Sequence, residues 1–151
     1  MRSMKNHKGT TITFLVFACI GFLDAAFLTA ERFLKGTVPC SLTGGCEIVL
    51  TSRYATVLGI PTALYGAVYY LLLLFLAFIS VTRNSESYIR IASYITVPGL
   101  IVSTTLLFLQ LFVIKAICIY CILSAIVSYA LFILGITIVK NPTQQRKNTL
   151  Q

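Results

Sequence analysis

The sequence predicts an all-α membrane protein, a bundle of four transmembrane helices with an outer loop and a short helix capping one end. Three observations carry that prediction. Hydrophobic residues make up 58% of the 151, and the mean hydropathy is +0.91, well above the values of soluble globular chains. Four apolar runs are each long enough to cross a bilayer, and polar connections separate them. The 12 basic and 4 acidic residues fall mostly in the termini and connections. The net charge of +8 is explained by those positions and calls for a lipid bilayer, not nucleic acid. His7 is the single histidine and sits in the polar N-terminus. That excludes a histidine-based metal site or a Ser/His/Asp triad inside the bundle, and no metal is expected.

In chain order, residues 1–10 form a basic N-terminus with Arg2, Lys5 and Lys8. The first span covers 11–30, twenty residues, or roughly 30 Å of helix. A basic start before an apolar run also describes a signal peptide. This run is too long for one, contains Asp24 and lacks a small-residue cleavage site, so it reads as an uncleaved span. Residues 31–58 form a polar outer loop holding Cys40 and Cys46, with Gly44 and Gly45 as turn formers between them. Within it, 47–58 mixes apolar and polar residues as a short surface helix would.

The second span covers about 60–81. Pro61 suits a helix start, where its missing N–H has no partner, and Gly59, Ala63 and Ala67 form a small-residue stripe for close helix packing. A polar loop, 82–90, carries Arg83 and Arg90. The third span, 91–114, holds Pro98-Gly99, a bend signal, and the polar residues Ser103, Thr104, Thr105 and Gln110. Lys115 ends it, and the fourth span, 118–139, begins almost at once, making these two an antiparallel pair. A polar tail, 140–151, follows. Residues 11–139 thus form one membrane domain between cytoplasmic ends.

Topology follows from charge. Four spans put both termini and the 82–90 loop on one side, with eight of the basic residues. The other side holds Arg32, Lys35, Arg53 and Lys115. By the positive-inside rule the richer side, with both termini, faces the cytoplasm, and the bundle is expected in the cell's inner or plasma membrane. Cys40, Cys46, Cys118 and Cys121 then face the exterior, where disulfides form and persist.

Cys118 and Cys121 lie three residues apart in the first turn of the last span, on one helix face. A helix N-terminus favours the thiolate, the species that exchanges disulfides, and Lys115 adds a cation at the same end. Cys19, alone in the first span, reads as a small packed hydrophobe. Three readings of the other four cysteines compete. The loop pair can be a structural staple, the four can make a zinc site, or the pairs can pass electrons by thiol–disulfide exchange. The last accounts best for one pair on a loop and the other beside the lipid, where a membrane-soluble acceptor has access. Asp24, the one acid inside a span, is a candidate for proton delivery or a hydrogen-bonded structural acid. Gln110, at the depth of the CxxC pair, can donate to a ligand carbonyl or act as polar glue between helices. Tyr65, Tyr69 and Tyr70 read as packing or interface residues.

At Cys40, Cys46 with the following EIVLTSRYA, Gly59-Ile60-Pro61 and the CIYC of 118–121, the chain resembles the vitamin K epoxide reductase family in its bacterial or archaeal form. The resemblance covers about residues 11–139. The four-helix DsbB-type family shares the chemistry but carries its CxxC in the first outer loop, the reverse of the order here. The resemblance implies that Cys40 exchanges with an external thioredoxin-fold partner of the DsbA kind. Cys46 and Cys118 then relay electrons inward, and Cys121 passes them to a quinone. Ser52 matches the family's loop serine, which is expected to hydrogen-bond at the site and hold the loop. Many prokaryotic relatives carry a fused thioredoxin-like domain after the last span, and its absence here implies a separate partner protein. The animal enzymes' Thr-Tyr-Ala after the CxxC is replaced by Ile122-Leu123-Ser124-Ala125. Menaquinone or ubiquinone is therefore the expected acceptor rather than vitamin K epoxide. The resulting expectation is a quinone-dependent enzyme that generates disulfides for extracytoplasmic proteins. The alternative is a non-enzymatic membrane protein with a stapled outer loop.

Overall fold

A computed structural model describes residues 2–34, 45–83 and 85–140, with side chains described for all of these except 2–8, 45, 47 and 86. Five helices carry the fold: α1 (Arg2–Leu34), the short α2 (Gly45–Thr51), α3 (Thr62–Arg83), α4 (Glu86–Phe108) and α5 (Ile119–Lys140). A π-helical segment, Leu109–Ile114, continues α4. The long apolar stretches are Gly9–Leu34, Thr62–Arg83, Ser87–Ile114 and Ile119–Lys140, each able by length and composition to cross a membrane. Each matches a sequence-derived span to within a few residues. The main difference is at the N-terminus, where the helix starts at Arg2 because no proline or turn cluster interrupts it.

The helices form a ring. α1 packs on α3 and α5, and α4 packs on α3 and α5, so α3 and α5 stand at opposite corners. The core between them is built from Phe14, Ala18, Tyr70, Leu73, Ala92 and Leu131. Small residues set the helix spacing. A Cβ on Gly21 of α1 would sit 2.5 Å from the Tyr70 ring, so only glycine lets α3 bring that tyrosine to the bundle centre. α4 runs on through Pro98 without a break.

The outer segment departs from expectation. Instead of one surface helix over 47–58, α2 ends at Thr51, a 3₁₀ turn spans Arg53–Ala55, and a two-stranded hairpin follows. Its strands β1 (Thr56–Val57) and β2 (Ile60–Pro61) pair antiparallel, Thr56 opposite Pro61 and Val57 opposite Ile60. Leu58 (φ 54°) and Gly59 (φ 81°) form the two-residue loop, and positive φ at both positions is the type I′ pattern whose twist suits a tight hairpin. Gly59 therefore serves the turn and not a helix-packing stripe, and nothing lies within 4 Å of where its Cβ would be. Ala67 is buried as that stripe predicted. Pro61 closes the hairpin one residue before α3 begins. Weak hydrogen bonds from Thr62 to the Tyr54 carbonyl and from Tyr65 to the Val57 carbonyl, both 3.5 Å, tie the hairpin to the top of α3.

Candidate thiol site and membrane cavity

The connection from α4 to α5 shapes the site. The π-helical turn ends at Lys115, whose backbone is left-handed (φ 54°, ψ 33°), and the amides of Lys115 and Ala116 both close on the Gln110 carbonyl. The chain then reverses in a few residues and enters α5 at Ile119. Cys118 is the residue before that first turn. Its carbonyl accepts the Ile122 amide at 3.1 Å, the first hydrogen bond of the helix. Its sulfur takes the place that a capping oxygen usually fills. Cys118 Sγ accepts a hydrogen bond from the Cys121 thiol and further ones from the backbone N–H groups of Cys121 and Tyr120. The thiol bond and then these amides pull the Cys118 pKa below that of an ordinary thiol, against burial and the Asp24 charge. Both cysteines are free thiols.

The two thiols face different neighbours. Cys118 is fully buried and packs with Cys46 and Val49 of α2, in a cluster edged by Ile114, Ala116, Tyr120 and Cys121. Cys46 is itself fully buried and disulfide-bonded. Cys40 lies outside the described residues. Ser52 donates to the Val49 carbonyl at 2.7 Å, and its own amide reaches the same oxygen at 3.3 Å. These bonds close the chain after α2 and hold the helix that carries Cys46.

Cys121 instead borders a cavity of about 320 Å³ among the four spans, roofed by the outer segment at Val49 and Ser52. That volume lies near the lower end of small-molecule sites, which run from about 300 to 1,000 Å³. Its walls are chiefly apolar, with residues such as Leu28, Val102 and Leu106. Gln110 lines it as well. This side chain is buried, and its Nε2 donates to the Cys118 carbonyl at 3.4 Å, so it contacts both the thiol turn and the cavity.

Two other expected site residues lie elsewhere. Asp24 is buried in α1, behind the cavity wall, and its Oδ2 has no hydrogen-bond partner among the described residues. Lys115 is exposed and off the cavity wall, and what the structure gives it is the backbone reversal. Sequence reasoning missed a group of hydroxyls on the cavity wall. Tyr70 reaches from α3 to the opposite corner, where its hydroxyl meets Ser124 and Ser128 of α5, and Ser103 of α4 joins them. The signal was present. Ser124 and Ser128 are spaced one and two turns after Cys121 in an otherwise apolar span, which puts them on the face the thiol occupies.

A helical membrane bundle that buries one thiol against a disulfide-bearing cap and opens the next onto an apolar cavity is the architecture of a membrane thiol-redox protein. The sequence pattern of the vitamin K epoxide reductase family matches residues 12–136, and the chain belongs to that family, whose members are oxidoreductases.

Proposed function

We propose that the protein is a thiol:quinone oxidoreductase that generates disulfide bonds in extracytoplasmic proteins. One observation carries the reading: within a single helical turn, Cys118 packs against Cys46 under the cap while Cys121 borders the cavity. A CxxC so divided can take electrons on one side and release them on the other.

The chain's own residues would act in order. Cys40 exchanges with the thiol of a separate DsbA-like, thioredoxin-fold partner, whose two thiols become a disulfide as the Cys40–Cys46 bond is reduced. Cys46 then attacks the Cys118–Cys121 disulfide at Cys118, and closure by Cys40 leaves two inner thiols. Cys121 leaves in the first of these steps and Cys118 in the closing one, where its lowered pKa favours its departure. A menaquinone or ubiquinone bound in the cavity would supply the two-electron, two-proton acceptor. The cavity fits such a group through its volume, its apolar walls and the polar side chains near Cys121. Cys121 presents its sulfur there, Gln110 offers an amide, and Ser52 keeps the roof closed. Asp24, buried and unpartnered at Oδ2, is the acid nearest in kind to a proton reservoir for the inner thiols. The charge bias supports an orientation with the termini in the cytoplasm and the cysteines outside.

The test is quinone reduction by purified protein given a reduced DsbA-type substrate. Wild type should turn over and Cys121→Ala should not, because the variant cannot form the inner disulfide that Cys46 attacks, whereas Cys40→Ala should trap a Cys46–Cys118 mixed disulfide because the thiol that closes on Cys46 is gone. A folded wild type inert with several quinones and partners would sink the reading and leave a stapled membrane protein.

A further inference from the structure

The hydroxyl group on the cavity wall has one proton with only a shared acceptor, and its position follows from counting donors. A serine or tyrosine hydroxyl carries one proton to give, and a carbonyl can only accept. Ser103 Oγ donates to Ser128 Oγ at 2.9 Å. The Ser128 proton then faces Tyr70 Oη at 2.8 Å. Tyr70 donates to the Ser124 carbonyl at 2.9 Å. Three protons are thereby used in sequence, from α4 through α5 and α3 and back to α5. The fourth belongs to Ser124 Oγ, 3.1 Å from Tyr70 Oη. That phenol oxygen already takes the Ser128 proton and has given its own away, so it offers at most a second, weaker acceptance. Ser124 lines the cavity one turn below Cys121, which lines it too. Ser124 is half-buried, and a donor whose acceptor is shared gains from a stronger one offered on the cavity side.

We propose that Ser124 Oγ donates a hydrogen bond to a carbonyl oxygen of the electron acceptor beside Cys121, with Tyr70 as the positioning residue that directs it. The inference rests on the quinone reading above and adds to it a second residue, beside Gln110, that distinguishes a carbonyl-bearing ring from a hydrocarbon of the same shape. Tyr70 holds this place, 2% exposed, wedged over Gly21 and fixed by two serines of α5. With the phenol proton committed to the Ser124 carbonyl, the serine hydroxyl is the group free to turn toward a ligand.

The test uses a matched pair of ligands, tetramethylbenzoquinone and the carbonyl-free tetramethylbenzene, with calorimetric binding to the oxidised full-length protein, so that no turnover occurs. Ser124→Ala should weaken quinone binding about threefold to tenfold and leave the hydrocarbon unchanged. Ser124→Thr, which keeps the hydroxyl, should bind as wild type does. Tyr70→Phe should weaken the quinone by a smaller factor. In turnover, Ser124→Ala should raise the quinone KM by its binding factor with kcat little changed. Unchanged quinone affinity in Ser124→Ala would overturn the proposal, as would an equal loss of both ligands, since that marks a collapsed cavity. If wild type binds tetramethylbenzene but not the quinone, the quinone reading itself fails and this inference falls with it. Quinone binding by wild type together with an indifferent Ser124→Ala would remove the inference alone.

Discussion

Cys118 owes its acidity to one turn of helix, and that can be measured. The Cys121 thiol is the largest cause of its lowered pKa, followed among the favourable ones by the amides of the same turn. A lowered thiol pKa means that the thiolate appears at lower pH than in a free cysteine, whose pKa is about 8.5. In reduced protein, the thiolate absorbance of Cys118, taken as the difference from a Cys118→Ala control, should therefore rise at lower pH in wild type than in Cys121→Ala. The variant keeps the amides, so it should move only part of the way back. Identical profiles would show that the thiol contact does not set the acidity. Gly21 makes a second prediction at this scale. Its Cβ position is filled by the Tyr70 ring, which three hydrogen-bonding contacts prevent from yielding. Gly21→Ala should lower stability by about 1–3 kcal/mol, read as a drop in the thermal unfolding midpoint in detergent. A neutral result would mean that the helices part easily.

Two elements do work that no single residue explains. The type I′ hairpin carries Leu58 at φ 54° and 93% exposed, where a branched apolar side chain gains nothing from packing and bears a left-handed backbone cost of about 1–2 kcal/mol. Leu58→Asn should raise stability by up to about 1 kcal/mol, since asparagine before glycine is the favoured type I′ pair. A fall in the melting temperature would instead assign Leu58 a contact of its own. The π-helical segment after α4 is the second. A π turn fits one residue more than an α turn, and here that extra residue helps aim Gln110 at the Cys118 carbonyl. Deleting Val113 should restore α geometry, leave helix content by circular dichroism nearly intact and abolish quinone reduction. Retained activity would show that the wide turn is incidental.

These two elements also mark what the sequence could not give. The four spans were legible because length and apolarity alone decide them, and the CxxC at a helix start was legible because three-residue spacing fixes a face. Hairpin and π turn rest on backbone angles at Leu58 and on one residue of register near Gln110, and the one trace either leaves, Gly59, reads equally well as part of a helix-packing stripe. The short strands were further hidden in a segment whose apolar content suits a surface helix equally well. Tyr70 escaped for another reason. Sequence places it on α3, but its role depends on the far corner of the bundle, and only the packing order of the helices shows that α5 is within its reach.

Across the whole molecule, the chemistry depends on which way the bundle faces. The basic residues at the termini and the 82–90 loop outnumber those on the cysteine face eight to four, and loops this short obey charge bias strongly. Asymmetry also fixes the direction of useful work. An exterior cap can draw electrons from proteins being oxidised there, whereas the same cap in the reducing cytoplasm would meet thiols that the cell keeps reduced. Orientation can be read with a membrane-impermeant thiol reagent on intact cells, using Leu58→Cys and Arg83→Cys in a background whose native cysteines are replaced by serine. Both positions are exposed, one on the hairpin and one at the opposite end of α3, so access differs only by the side they face. The first variant should label before lysis and the second only after the membrane is opened. The opposite pattern would put the CxxC in the cytoplasm, and the disulfide-generating reading would then give way to a reductase running on the same cysteines.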